Sequence, residues 1–424
     1  MALIQSLNER LIKNIDIELE RENRNVRELV KEVTWAIIRE KAELVAEVEL
    51  GNIDRSVLET EIIKKIDQSL IQTKMLRKEL IEKVFDRMFR YGDLQHLIEN
   101  DDITDIEMPR YDICIVKEKG IRKKLDIRFA DEKEFNDWCK FIITKNRGII
   151  NENDSHCRVS DPRYRLRINV SIPPRNVTGT SLKIRHHAKN SYTLDDLERE
   201  GMFNSEINNF FKKLAISSAK VIIAGKGAAG KTTLLRALIN QYPMLESYLA
   251  CESDTELYPD NPSIIVQKIK KEHEGGRPIT LLNLINDGIT MTLDGYIIGE
   301  LIGAEIWPFL NASQTGHKIA ATIHSNSAAN TFERMITLVK MAGVDLHEDT
   351  IRRIISQSVD IIVYLKNFKV AEILEITGYD EQNKCILTNL LYEYSKEAGF
   401  IGKGKLRGRL SEQLNSKVEG ACLE

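Results

Sequence analysis

Residues 225–232, GKGAAGKT, fit the pattern G-x-x-x-x-G-K-T. Their types suit one task. Gly225, Gly227 and Gly230 permit backbone turns that aim successive N–H groups inward, and the lack of side chains lets phosphate oxygens approach. Lys226, Ala228 and Ala229 fill the loop between them, and Thr233 follows it. Lys231 supplies a cation for β- and γ-phosphates, and the hydroxyl of Thr232 suits magnesium. The apolar run Val221-Ile222-Ile223-Ala224 reads as a buried strand, and TTLLRALIN reads as a helix whose amino terminus adds positive potential. Strand, loop and helix in that order are the context the pattern requires. The segment predicts a site for a nucleoside triphosphate with Mg2+.

Chemistry at such a site needs an acid near the metal and a group that polarises water. Two carboxylates qualify: Glu300, which ends the apolar run GYIIGE, and Glu252 in YLACESDTEL. In a parallel sheet, residues just past the strand carboxyl ends converge on one crevice. Gly299 rather than Asp precedes Glu300. Residues 315–330, TGHKIAATIHSNSAAN, add two of the chain's eight histidines, His317 and His324, around a short apolar stretch. By residue type alone they are metal ligands, an acid–base pair or two unrelated histidines.

The elements that must position these groups follow from periodicity. Residues 1–92 are highly charged and helical in period. From Val57 to Met88 apolar residues (Ile62, Ile66, Leu70, Leu76, Leu80, Val84, Met88) trace one amphipathic face. After Ile103 the period shortens: ICIVKEKGIRKKLDIRF reads as a hairpin around a glycine turn, and DEKEFNDWCKFIITKN returns to helix. RYRLRINVSIPP alternates, with Tyr164, Leu166, Ile168, Val170 and Ile172 on one face. Arg163, Arg165, Arg167, Asn169 and Ser171 line the other, as in a half-buried strand with an open polar face. Residues 187–195 are polar and end in a helix-start signal at Thr193, so they read as a linker. Beyond 196, apolar runs alternate with helical stretches, the mark of an α/β domain with a mainly parallel sheet. The division is therefore a helical extension (1–92), an α+β amino-terminal domain (93–186), a linker (187–195), an α/β domain (196–395) and a loosely ordered basic and polar tail (396–424).

Composition excludes several classes. A net charge of −3 with 29% charged residues argues against a dedicated nucleic-acid binder. Six scattered cysteines form no CxxC pair, which favours reduced thiols over disulfides or zinc. No apolar run approaches the ~20 residues that span a bilayer, so any membrane association is expected to be peripheral.

Seven ordered segments together resemble one family, the type II/type IV secretion ATPases, and within it the tight-adherence (Tad) pilus assembly branch. RYGDLQHLIENDDITDIEM resembles the lead into that branch's amino-terminal domain, and RLRINVSIPPRNVTGTSLKIRHH its Arg-containing strands. TLDDLEREGMFNSE is similar to its linker. The phosphate loop, ESDTEL, GYIIGE and TGHKIAATIHSNS then fall in the family's order and spacing.

The resemblance implies a RecA-like carboxy-terminal ATPase domain, an α+β amino-terminal domain, and ATP with Mg2+ as ligands. It implies a hexameric motor that powers pilus assembly or secretion. Such a motor is cytoplasmic and peripheral at the membrane, works on a polytopic inner-membrane platform protein, and takes no nucleic acid. It makes His317 and His324 the positions of a histidine box, with His324 sensing the γ-phosphate. It places Arg167 and Arg185 over the phosphates from the smaller domain. Zinc lacks further ligands, and a serine hydrolase lacks its nucleophile elbow. The chain also departs from the family. Thr290, Thr292 and Ile302 stand where relatives carry arginine, and Lys226 and Ala229 replace small or Ser residues in the loop. Those departures imply slow turnover in isolation. They leave open a degenerate nucleotide-binding regulator of the same fold and, more remotely, a nucleic-acid-translocating ring.

Overall fold

The computed structural model describes residues 2–187, 192–270, 277–411 and 413–414. Helices come first: α1 (Ala2–Glu40), α2 (Ala42–Glu49), α3 (Arg55–Gln68), α4 (Arg77–Phe89) and the short α5 (Gln95–Ile98). Strands β1 (Ile103–Arg110), β2 (Ile113–Glu118) and β3 (Ile121–Leu125) precede α6 (Glu132–Lys145), then β4 (His156–Asp161), β5 (Leu166–Ser171) and β6 (Ser181–His186). After α7 (Leu194–Arg199) and α8 (Ser205–Ile216) come β7 (Val221–Gly225), α9 (Lys231–Ile239), β8 (Tyr248–Glu252), β9 (Ile264–Lys268) and α10 (Leu281–Gly288). The chain continues through β10 (Gly295–Leu301), α11 (Ile306–Gln314), β11 (Lys318–His324), α12 (Asn330–Met341) and α13 (Glu348–Ser358). It closes with β12 (Ile361–Lys366), β13 (Lys369–Asp380), β14 (Cys385–Ser395) and β15 (Gly399–Gly402).

The chain divides into two compact units, residues 1–142 with 176–186, and residues 143–175 with 187–424. In the first, Val26, Leu29, Val33 and Ile37 of α1 pack with Leu58 and Ile62 of α3 and with Leu80, Val84 and Met88 of α4. Burying each such side chain is worth roughly 1.5–3 kcal/mol. The face expected from Val57 to Met88 is not continuous. Leu70 and Leu76 are exposed because the chain leaves the helix at Ser69 and re-enters it at Arg77. β1 pairs antiparallel with β2 and with β6, which sets Arg185 opposite Asp105 with its side chain exposed. No described helix is long and apolar enough to cross a membrane.

The second unit is built on a sheet ordered β15-β14-β13-β12-β7-β11-β10-β8-β9. Strands β12, β7, β11, β10, β8 and β9 are parallel, and β13 to β15 extend them antiparallel. Every residue of β7 and β8 is buried, because helices cover both faces of a parallel sheet. Ile223, Leu235 and Val363 belong to the core on one face, and Ile222, Ile298, Phe309 and Ile323 to the core on the other. With the phosphate-loop strand β7 between β11 and β12, the fold is α/β of the RecA-like type. Of the linker drawn from sequence, 188–191 lie outside the described residues. Thr193 caps α7 through a reciprocal pair of hydrogen bonds with Asp196.

The chain after 396 is not loose as far as it is described. β15 pairs with β14, and the next residues are strapped to the domain by two buried carboxylates. Glu375 accepts from the backbone N–H of Arg407 at 2.9 Å and of Gly408 at 2.6 Å, and from the Asn389 amide at 2.9 Å. Asp360 accepts from the Arg409 guanidinium and from the Lys220 N–H. Leu410 is buried in the main core. Basic composition suggested a solvated tail, but the strap runs over buried acids. Glu375→Ala orphans several donors, so it should lower unfolding stability by about 3 kcal/mol. Arg407→Ala should be nearly neutral, since Arg407 binds Glu375 through its backbone. Urea midpoints check both, and equal losses would refute the strap.

Candidate active site

The phosphate loop turns where its glycines allow it. A Cβ on Gly225 would stand 2.6 Å from the Leu365 carbonyl oxygen, so no larger residue fits there. Gly230 opens α9 at φ +96°, a left-handed conformation that favours glycine. Lys231, the first residue of α9, is buried and reaches back to donate to the Lys226 carbonyl at 3.1 Å. Burial lowers its pKa, while the charges of Glu300 and Glu256 oppose that shift. Thr232 and Thr233 follow on the first turn of α9, and Ala228 holds φ 59° within the loop.

Strand order brings the acids and one histidine to the same rim. β11 pairs with β7 in a register that sets His324 beside Gly225. A Cβ on Gly227 would lie 3.7 Å from the His324 ring. Glu300 comes from the carboxyl end of β10, next to β11, with its Oε1 2.7 Å from His324 Nε2. The same Nε2 lies 3.5 Å from Lys231 Nζ. The shorter contact decides the proton: Nε2 donates to Glu300, and Lys231 is a neighbour at the edge of hydrogen-bond range.

Glu252 ends β8, the next strand beyond β10. It is 1% exposed, and burial pushes its carboxyl up to about 7. Its Oε1 accepts from the N–H groups of Glu256 at 2.9 Å and Leu257 at 2.7 Å. Its Oε2 is buried with no hydrogen-bond partner among the described residues. A Cβ on Gly299 would lie 3.4 Å from Glu252 Cγ, an ordinary contact, so it is charge rather than space that sets Gly299 apart from the Asp alternative. An Asp there would set a second carboxylate against a buried one.

His317 is not brought to this rim. It precedes β11, a strand about 20 Å long that ends at His324. There its Nδ1 lies 3.0 Å from both the Ala312 carbonyl and Thr315 Oγ1, and its ring meets Tyr296 edge-on. Arg185 is in the first unit, on β6.

The polar face of β5 is not open. Arg167 Nη1 lies 2.9 Å from Glu256 Oε1, Arg158 of β4 lies 2.9 Å from Asp254, and the Arg165 guanidinium sits 4.9 Å from the centre of the Tyr258 ring. Three arginines thus engage alternate residues of the loop that follows Glu252. Sequence reasoning singled out Glu252 and missed Asp254, Glu256 and Tyr258. The i, i+2 spacing of Glu256 and Tyr258, matching that of Arg167 and Arg165, was the available signal.

Thr290 donates to the Asp287 carbonyl, and Ile302 is half exposed with its N–H bonded to the buried Glu305. The donor set fits a magnesium-bound triphosphate, with glycine room in the loop, the Thr232 hydroxyl and an unpartnered carboxylate oxygen on Glu252. Among the described residues no cluster of His, Cys, Asp and Glu could hold a metal by itself.

Comparison with known proteins identifies a family for the chain. The profile of the T2SSE family, described as "Type II/IV secretion system protein", matches residues 146–369, just over half of the chain. The type IV secretion system protein VirB11 of Bartonella henselae is 29% identical over 248 residues, covering 49% of this chain and 70% of that protein. VirB11 of Bartonella quintana is 27% identical over 248 residues, with the same 49% and 70% coverage. Among solved structures, the Legionella pneumophila ATPase DotB is similar at 16% identity, with a TM-score of 0.48 over 81% of this chain and 88% of that one.

Proposed function

We infer that this chain, which belongs to the type II/IV secretion system protein family, is an ATPase that powers pilus assembly or protein secretion. The observation that carries the reading is the convergence of Lys231, His324, Glu300 and Glu252 at the carboxyl rim of adjacent parallel strands around the phosphate loop. The loop N–H groups and Lys231 bind the triphosphate. The Thr232 hydroxyl would hold magnesium, which would supply charge neutralisation at the phosphates. Glu252 takes the proton of the attacking water, since a carboxyl near 7 with an unpartnered oxygen is matched to that task. Glu300 holds the imidazole of His324 through Nε2, so a change at the phosphates is passed to β10 and β11 together.

Family resemblance supports the finer points. The motor is of the Tad pilus branch and acts as a homo-hexamer. It is cytoplasmic, lies against the inner membrane through a polytopic platform protein, and takes no nucleic acid. Its chain is divided into a helical extension (1–92), a smaller α+β domain (93–186), a linker (187–195), an ATPase domain (196–395) and a tail (396–424).

A second reading, a slow or degenerate nucleotide-binding regulator, is favoured by Thr290, Thr292 and Ile302 at positions where relatives carry arginine. Measuring MgATP turnover separates the two. The purified protein should hydrolyse ATP slowly yet above the Lys231→Ala background. Restoring Arg at 290, 292 and 302 should raise the rate, because one well-placed arginine is worth about 10³-fold. Turnover indistinguishable from Lys231→Ala in every variant would leave the regulator.

A further inference from the structure

The strand that carries Glu300 changes register just before it ends. β10 and β11 pair residue for residue from Gly295 with Lys318 to Ile298 with Ala321, and then Leu301 pairs with Ile323. Three steps on β10 are matched by two on β11, so Gly299 and Glu300 together face Thr322, as in a β-bulge. The packing shows the same extra residue. Side chains alternate along a regular strand, so a step of three would put Ile298 and Leu301 on opposite faces. Both instead belong to one core, together with Ile323. Regular alternation would also turn Glu300, two residues from Ile298, into that apolar core. The bulge frees it to the rim, where its Oε1 lies 2.7 Å from His324 Nε2.

Thr322 sits where the register breaks. It is 1% exposed, and its hydroxyl donates to the Gly299 carbonyl at 2.6 Å. Its neighbours along β11, Ala320, Ala321 and Ile323, are apolar and buried. A valine would fill the same space without burying a hydroxyl, so the hydroxyl answers to that carbonyl. Packing does not hold the bulge at its first residue, since a Cβ on Gly299 would meet its nearest neighbour only at 3.4 Å. Alternation puts Thr322 on the same face of β11 as His324, two residues on.

We propose that Thr322 is a positioning residue for Glu300: its hydroxyl holds the β10 bulge in place and so keeps the carboxylate on His324. This rests on the nucleotide-site reading above and deepens it, by naming what aims Glu300 across to β11. Glycine gives the bulge backbone freedom to straighten, and straightening would swing Glu300 back toward the apolar face. The Thr322 bond opposes that motion. One strand, β11, therefore carries both the anchor of the bulge and the imidazole that the bulge serves.

The test compares Thr322→Val, which keeps the shape and removes the donor, with Thr322→Ser, which keeps the donor and removes a methyl group. In Thr322→Val, MgATP turnover should fall about 10–100-fold while MgATP affinity stays within about threefold, because the phosphate loop is untouched. Thr322→Ser should keep turnover within about threefold even though the lost methyl lowers its melting temperature. A merely structural role would make turnover follow melting temperature in both variants. In a Glu300→Gln background, Thr322→Val should cost no more than about twofold, since aiming matters only while the carboxylate is there. Amide exchange at Gly299, Glu300 and Leu301 should quicken about tenfold in Thr322→Val and stay as in wild type in Thr322→Ser. Full turnover or unchanged exchange in Thr322→Val would overturn the proposal. So would an equal rate loss with and without the Glu300 carboxylate. If wild type turned over no MgATP above the Lys231→Ala background, the nucleotide-site reading would fall, and the exchange rates alone would decide whether Thr322 holds the bulge.

Discussion

Lys231→Ala should abolish measurable nucleotide binding and leave the fold unchanged. The ammonium is buried and, among the described residues, lies within hydrogen-bond range of the Lys226 carbonyl and the edge of His324. Its removal does more than delete an attraction. The charges of Glu300 and Glu256, which now act on the ammonium, would then oppose the incoming phosphates. Two charge-assisted hydrogen bonds to phosphate, at about 1.5–3 kcal/mol each, already amount to 100-fold or more in affinity. Stability should hold or rise slightly, because the variant no longer buries an ammonium. Calorimetric titration with MgATP and a melting curve check both halves. Affinity within about threefold of wild type would move the phosphate site elsewhere.

Much of this site was legible because its signals are local. The strand, glycines, lysine and helix of the phosphate loop lie within one short stretch, and the structure realises them as β7 and α9. YLACE, GYIIGE and KIAATIH were readable as strands because a parallel sheet covered on both faces leaves continuous apolar runs. What the sequence hid was pairing over distance. Nothing near Glu252 says that it would be sealed from water beside Gly299, while Glu300, in a locally similar segment, stays half exposed against His324. Arg165 and Arg167 looked like part of a solvated face because their partners, Tyr258 and Glu256, lie about 90 residues on. The same reason hid the strap: Arg407 to Arg409 look like a basic tail until Glu375 and Asp360 are folded against them. His317 and His324 look like a pair in sequence, yet the strand between them carries them apart.

Glu252→Gln should remove most of the turnover, about 10²–10⁴-fold, while MgATP affinity changes little. Gln keeps an oxygen to accept the Glu256 and Leu257 N–H groups, so the loop stays placed, but it cannot take a proton from water. With the carboxyl near 7, the wild-type rate should fall about tenfold per pH unit below that value and level off above it. Stability should move the opposite way. Burial raises the folded-state pKa above the ordinary carboxyl value of 4.5, so the folded protein holds this proton more tightly than the unfolded chain. The stability it contributes is present below about 4.5 and is lost as pH rises toward 7. Glu252→Gln should therefore be more stable than wild type at pH 8, by up to about 3 kcal/mol, and nearly equal to it at pH 4.5. A rate loss with a stability gain that appears only at high pH is the signature of a buried acid kept for its proton. If Glu300→Gln gave the larger rate loss and Glu252→Gln no stability gain at pH 8, the proton-taking role would belong to Glu300, and the His324 contact would be its activating partner.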